Sequence, residues 1–196
     1  MDKSRFESQV EKTLKFVART LAEDDLYYPS LTVIGTAAVL IREPELLRVE
    51  ATEDVDILAG FREDIADLAH TWEELEKRGM ADGQVLAHSH VVSFFPFSNE
   101  PPMSFDFMYP SEDLEELFTY TRRNAGKEFA EFEDTKFYVA RLEDAILCKA
   151  AVGRKKDVRD FPREHLERGW IFLERLDDKQ FIIRRAEAAT RSKEDI

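Results

Sequence analysis

Thr52-Glu53-Asp54-Val55-Asp56-Ile57-Leu58 is the stretch on which the fold turns. From Asp54 onward acidic and apolar residues alternate, the pattern of a half-buried strand. Side chains at i and i+2 share a strand face, so Asp54 and Asp56 project together while Val55 and Ile57 enter the core. Two adjacent carboxylates repel each other, and a hard divalent cation uses both as oxygen ligands. Two solvated acids at a strand end fit the same pattern, so a metal reading needs a third ligand.

Downstream, Met103-Ser104-Phe105-Asp106-Phe107-Met108-Tyr109 reads as a second strand, its apolar run interrupted by one carboxylate. An Asp between two Phe residues is partly desolvated, and it persists as an ion when hydrogen-bonded, salt-bridged or metal-bound. If this strand lies beside the first, Asp54, Asp56 and Asp106 converge on one metal cluster. A salt bridge to a neighbouring Lys or Arg is the structural alternative.

Upstream, Leu31 to Thr36 reads as a short buried strand that ends at a glycine and turns into Ala37-Ala38-Val39-Leu40. Gly35 lets backbone N–H groups approach a bound group, and a following helix start directs its positive end at anions such as phosphate. Gly35-Thr36 alone fits a plain chain turn equally well. Further back, Phe6, Val10, Leu14, Val17 and Leu21 recur at helical spacing and predict an amphipathic helix over about residues 4–22.

Toward the C-terminus, Leu142-Glu143-Asp144 leads into Lys149-Ala150-Ala151-Val152-Gly153-Arg154-Lys155-Lys156-Asp157 and Asp160. On a continuous helix Lys149, Gly153, Lys156 and Asp160 share a face. Gly153 equally marks a turn between two helices. Lys149 can reach a phosphate as a point charge, or it and Asp157 can sit in ordinary salt bridges of a helix pair that closes the core.

Composition bounds the rest. The chain has 196 residues, 43% hydrophobic and 35% charged, a globular balance that one core can satisfy. The expected organisation is one domain over 1–196, with an N-terminal helix in 1–28, core sheet and helices in 29–140, and C-terminal helices in 141–196. A net charge of −13 argues against a protein that coats nucleic acid, while leaving room for a local basic site. Arg122, Arg123 and Lys127 form one basic cluster, and Arg154, Lys155, Lys156 and Arg159 another. The lone Cys148 cannot form an intramolecular disulfide and reads as a small core residue in a reducing compartment. No apolar signal segment opens the sequence and no run reaches membrane-span length, so a cytoplasmic protein is expected. His88 and His90 can share a strand face like metal ligands but lack a third soft partner. Phe94-Phe95-Pro96-Phe97 with Pro101-Pro102 reads as core packing and a rigid turn rather than an acceptor pocket or lid. Residues 179–196 read as a final amphipathic helix whose basic side can meet a tRNA or a partner.

Taken in order, Val33-Ile34-Gly35-Thr36-Ala37-Ala38-Val39, Thr52 to Ile57, Phe105-Asp106-Phe107 and the module from Leu142 to Asp160 resemble the nucleotidyltransferase superfamily. The likeness is to its minimal nucleotidyltransferases and to its abortive-infection and toxin-type members, and it covers roughly residues 30–165. The resemblance implies an α/β (α+β) nucleotidyltransferase fold: a mixed sheet carrying the acids at its edge, flanked by helices, with a helical C-terminal part. It implies that Asp54, Asp56 and Asp106 bind Mg²⁺ or Mn²⁺, with Asp106 also the base for an acceptor hydroxyl. Gly35, Thr36, Lys149 and Asp157 would bind the nucleotide. The reaction implied is transfer of a nucleoside monophosphate from a nucleoside triphosphate to a protein, tRNA or small-molecule hydroxyl, with release of pyrophosphate. The chain departs from the family at Gly35-Thr36, where Gly-Gly or Gly-Ser is common, and at Glu50, where a basic residue usually stands. Those departures suit an alternative: a non-catalytic binding module, such as a toxin–antitoxin partner or a nucleotide sensor.

Overall fold

The computed structural model describes residues 3–43, 52, 54–60, 62–77, 81–86, 91–96, 101–109 and 114–152. Along the chain these form α1 (Lys3–Glu23), β1 (Ser30–Ile34), α2 (Gly35–Arg42), β2 (Asp54–Leu58), α3 (Arg62–Lys77), β3 (Ala81–Leu86) and β4 (Val91–Pro96). There follow β5 (Ser104–Met108), α4 (Glu115–Arg123), β6 (Lys127–Phe132), β7 (Thr135–Val139) and α5 (Leu142–Val152). The seven strands make one mixed sheet in the order β3-β4-β5-β2-β1-β7-β6. β2 runs parallel to β5 and β1 parallel to β7, while the other neighbours are antiparallel.

Local sequence accounts for most of these elements. In α1 the residues at helical spacing, Phe6, Val10, Leu14, Val17 and Leu21, are all buried. The β6–β7 hairpin turns on Glu133 and Asp134, both with positive φ (47° and 62°), the primed two-residue turn whose twist matches that of its strands. Asp tolerates that backbone region better than most residues.

Alternation along β2 and β5 sorts their side chains to two faces. Val55, Ile57, Phe105 and Phe107 are fully buried, whereas Asp54, Asp56, Ser104, Asp106 and Met108 are half-buried. On the buried face Phe94 stacks on Phe105 with ring centroids 4.6 Å apart, and Phe16 of α1 tilts against Phe94 at 5.6 Å. That aromatic cluster joins α1 to the centre of the sheet, each ring burying a large apolar area. α2 packs against α5, α1 and the strands β1 and β2. Its last residue, Arg42, donates from Nε to the Ala140 carbonyl (3.1 Å) and from Nη2 to the Val139 carbonyl (2.7 Å). The end of β7 is thereby tied to the end of α2.

Two expectations are corrected. The first strand ends at Ile34, and Gly35 and Thr36 open α2 rather than closing β1. The main chain of Gly35 is left-handed (φ +65°), and the sharp change of direction it permits starts the helix one residue after the strand. The acids stand on β2 and β5, interior strands of the sheet rather than edge strands. Gly153, Asp157, Asp160, the rest of the C-terminal part, His88 and His90 lie outside the described residues. Among the described residues no helix is long and apolar enough to cross a membrane.

Candidate metal centre

β2 and β5 run side by side with Asp56 opposite Asp106 and Asp54 opposite Ser104. Parallel pairing places residues of equal phase on the same face, so three carboxylates that are distant in sequence meet on one side of the sheet. One carboxylate oxygen from each of Asp54, Asp56 and Asp106 lies within 4.8 Å of the other two. Ligands of an octahedral ion with bonds of 2.0–2.1 Å lie at most about 4.2 Å apart. Small side-chain rotations bring the three oxygens to that spacing, and a pair of ions roughly 3.5–4 Å apart needs less movement still. An all-oxygen, all-anionic donor set suits hard cations such as Mg²⁺ or Mn²⁺ and disfavours soft ones. Around it, the Thr52 hydroxyl donates to Asp54 Oδ1 (2.5 Å), and Ser93 of β4 sits opposite Asp106 on its other side.

Gly35 is fitted to this cluster. A Cβ built on it would overlap Asp56 Oδ2 and lie 2.8 Å from Asp56 Cγ. The glycine therefore does more than turn the chain, since only a residue without a side chain leaves room for the Asp56 carboxylate. The same contact sets that carboxylate against the first turn of α2, whose positive dipole end favours negative charge. The N-cap residue, Ile34, gives this helix start no side-chain cap, and the first-turn amides of Gly35, Thr36 and Ala37 have no partners within the helix itself. Those amides are the groups that an anion bound next to the acids would meet.

The two other expected nucleotide ligands are Lys149 and Asp157. Lys149 is buried on α5, which packs chiefly on α2 and α4. Asp157 lies outside the described residues.

Sequence reading missed Asp144, in the first turn of α5. Its side chain is only 3% exposed, and Oδ2 has no hydrogen-bond partner among the described residues. Burial pushes its carboxyl up to about 6, while Arg141 pulls it down, Glu143 pushes it up and Arg42 pulls it down again. Four residues on, the buried Cys148 thiol lies 3.4 Å from the Thr121 hydroxyl, and burial pushes it up to about 12, too high for a thiolate nucleophile. The apolar run Ala145-Ile146-Leu147-Cys148 that follows Asp144 was the available signal, because a helix apolar around most of its circumference is enclosed on several sides.

No known family model matches the chain, and no match is found among characterised proteins.

Proposed function

We propose that the chain is a metal-dependent nucleotidyltransferase with the nucleotidyltransferase fold. It would move a nucleoside monophosphate from a nucleoside triphosphate to a hydroxyl acceptor. The observation that carries this reading is the meeting of Asp54, Asp56 and Asp106 beside Gly35, the glycine that opens α2. A surface cluster of acids would need no glycine built around one of its carboxylates.

In this reading Asp54 and Asp56 hold Mg²⁺ or Mn²⁺, and Asp106 completes the ligand set. The bound ion supplies charge neutralisation on the phosphates. The first-turn amides of α2, from Gly35 and Thr36, hold the triphosphate next to the acids and orient its α-phosphate. Asp106 accepts the proton of the acceptor hydroxyl. The acceptor oxygen then forms its bond to the α-phosphorus, the bond from that phosphorus to the bridging oxygen breaks, and pyrophosphate leaves with the electron pair. Most of the rate gain in such a displacement comes from positioning and charge stabilisation, which side chains on neighbouring strands of a packed sheet are suited to supply.

The test is calorimetric titration with ATP, GTP, CTP and UTP, with and without Mg²⁺, on the wild-type protein and on Asp54→Asn and Asp56→Asn. Metal-dependent binding of at least one nucleotide is expected in the wild type and lost in both variants, with circular dichroism unchanged. Any transfer activity should fall at least a hundredfold, the effect of losing about 3 kcal/mol of transition-state stabilisation. Equal nucleotide binding in all three proteins would remove the site assignment. No binding in the wild type would leave the fold as a non-catalytic module.

A further inference from the structure

The face of the sheet opposite the acids carries a groove of about 400 Å³ that the metal centre does not use. Phe16 of α1 is part of its lining, and the Phe16 ring packs on Phe94 and Phe105. Phe105 and Asp106 are successive residues of β5, so the ring and the carboxylate leave the strand on opposite sides. Pro101 and Pro102, just ahead of β5, line the groove from one direction, and Glu133, in the turn between β6 and β7, from another. In the strand order β5 and β7 stand three places apart, roughly 14 Å at about 4.8 Å per strand. A lining drawn from both makes the groove long rather than round.

Its charge comes from α1. Lys12, Lys15 and Arg19 line the groove, and their spacing of three and then four residues sets them on one stripe of the helix. Arg19 is engaged already: its Nε lies 3.6 Å from Glu23, and its guanidinium lies 5.7 Å from the centre of the Phe16 ring. Lys12 and Lys15 are exposed, and neither has a carboxylate partner among the described residues. Lys3, Lys77 and Lys136 each have one. With 41 acidic against 28 basic side chains, carboxylates to pair with are abundant in this chain. At physiological salt, charges more than about 8 Å away are largely screened. A ligand in the groove therefore responds to these two ammonium groups more than to the net charge of −13.

The lining also selects among anions. A chain of phosphates would have to pass the Glu133 carboxylate and two prolines that offer no N–H. A single small anion would leave most of the groove's length unfilled. We infer that the groove docks an extended segment of a partner protein in which acidic and apolar residues alternate, its carboxylates held by Lys12 and Lys15. Alternate side chains of an extended peptide stand about 6.7 Å apart. The Cβ atoms of helix residues three apart are separated by about 5–6 Å, and the flexible lysine stems take up the difference. The intervening apolar side chain turns the other way, toward Pro101 and Pro102, and a main-chain N–H donates to Glu133.

The probe is a fluorescein-labelled peptide, Gly-Glu-Leu-Glu-Leu-Glu-Gly, followed by fluorescence anisotropy on the full chain. EDTA is present throughout, so that no ion bridges the peptide to Asp54, Asp56 and Asp106. Saturable binding is expected in the wild type. Lys12→Gln with Lys15→Gln should weaken it about fivefold, the effect of losing two exposed ion pairs. Replacing the peptide's Glu residues by Gln should weaken binding to the wild type similarly and change little further in the double variant. Because both lysines are exposed and lie on the far side of the sheet, the double variant should keep the wild-type circular dichroism and, without EDTA, the wild-type stabilisation by Mg²⁺. Peptide binding by a protein that shows no Mg²⁺ response would remove the metal centre and uphold the groove. No saturable binding by the wild type overturns the inference, as does equal affinity in the double variant. Displacement of the peptide by inorganic triphosphate or an oligoadenylate, at concentrations well below that of unlabelled peptide, also overturns it, since the groove would then be a phosphate site.

Discussion

Gly35 and Asp144 are the two positions at which single side chains decide most. Placing Ala at Gly35 puts a methyl group into the Asp56 carboxylate and forces an L residue to hold φ +65°. The backbone alone costs about 1–2 kcal/mol, and the displaced carboxylate removes a metal ligand. Gly35→Ala should therefore lower the unfolding midpoint and abolish Mg²⁺-dependent nucleotide binding together; a variant that kept full nucleotide affinity would deny Gly35 its part in the site. Asp144 acts on stability through pH. Its folded carboxyl titrates at about 6 against an ordinary 3.8, so between those values the folded chain holds a proton that the unfolded chain has lost. Stability from this group is complete below the ordinary value and is lost as pH rises through about 6, amounting to about 3 kcal/mol, an order-of-magnitude figure at 1.36 kcal/mol per pH unit. Asp144→Asn keeps the shape and removes the titration, so its stability relative to wild type should rise from pH 4 to pH 7 in denaturant titrations. A constant difference across that range would show that the carboxyl does not titrate in the interior. The acids of β2 and β5 were legible as isolated residues because each breaks an apolar strand pattern. Asp144 was not, since an acid in the first turn of a helix is usually an exposed partner of the helix dipole.

At the scale of elements, periodicity was a sound guide wherever one face is wet. α1 and the strands β2 and β5 lie where alternation and helical spacing put them, and their buried residues are the ones those patterns select. The start of α2 was misjudged because β1 and α2 are both buried along most of their length. With Leu31 to Ile34 and Ala37 to Ile41 all buried, neither period stands out and only the glycine marks the boundary. Pairing was beyond reach for a different reason. That Asp106 faces Asp56 depends on β5 joining β2 in parallel, a contact between strands about fifty residues apart that no local pattern encodes. Phe105 is the residue through which this pairing is fastened to the rest of the fold, since its ring meets Phe94, Phe16 and Phe107. Phe105→Ala should cost about 3–5 kcal/mol in chemical denaturation, the range for emptying a buried aromatic site. A loss below about 1 kcal/mol would mean that the strands hold their register without the cluster. Phe105→Leu, which refills most of the volume, should recover much of the loss and with it the metal site.

Across the whole molecule, charge is the dominant feature that sequence alone made plain. The ion pairs given by the fold, such as Lys136 with Glu128 and Glu131 or Lys77 with Glu74, join exposed side chains and contribute little. They do not offset the self-repulsion of a chain at −13, so monovalent salt should raise the unfolding temperature by screening. A metal site predicts something that screening cannot. At matched ionic strength Mg²⁺ should stabilise the wild type beyond the effect of Na⁺, because binding to the folded state alone adds RT ln(1 + [Mg²⁺]/Kd). At a hundred times Kd that is about 2.7 kcal/mol, or roughly 5–10 °C for a domain of this size. Asp56→Asn should keep the Na⁺ response, since it changes the total charge by one unit, and lose the extra Mg²⁺ response, since it removes a ligand from the cluster. The comparison requires no knowledge of substrate or acceptor. If the extra Mg²⁺ stabilisation were the same in the variant as in the wild type, the ion would be acting on the acidic surface at large, and the meeting of the three carboxylates would be a consequence of strand pairing without a ligand.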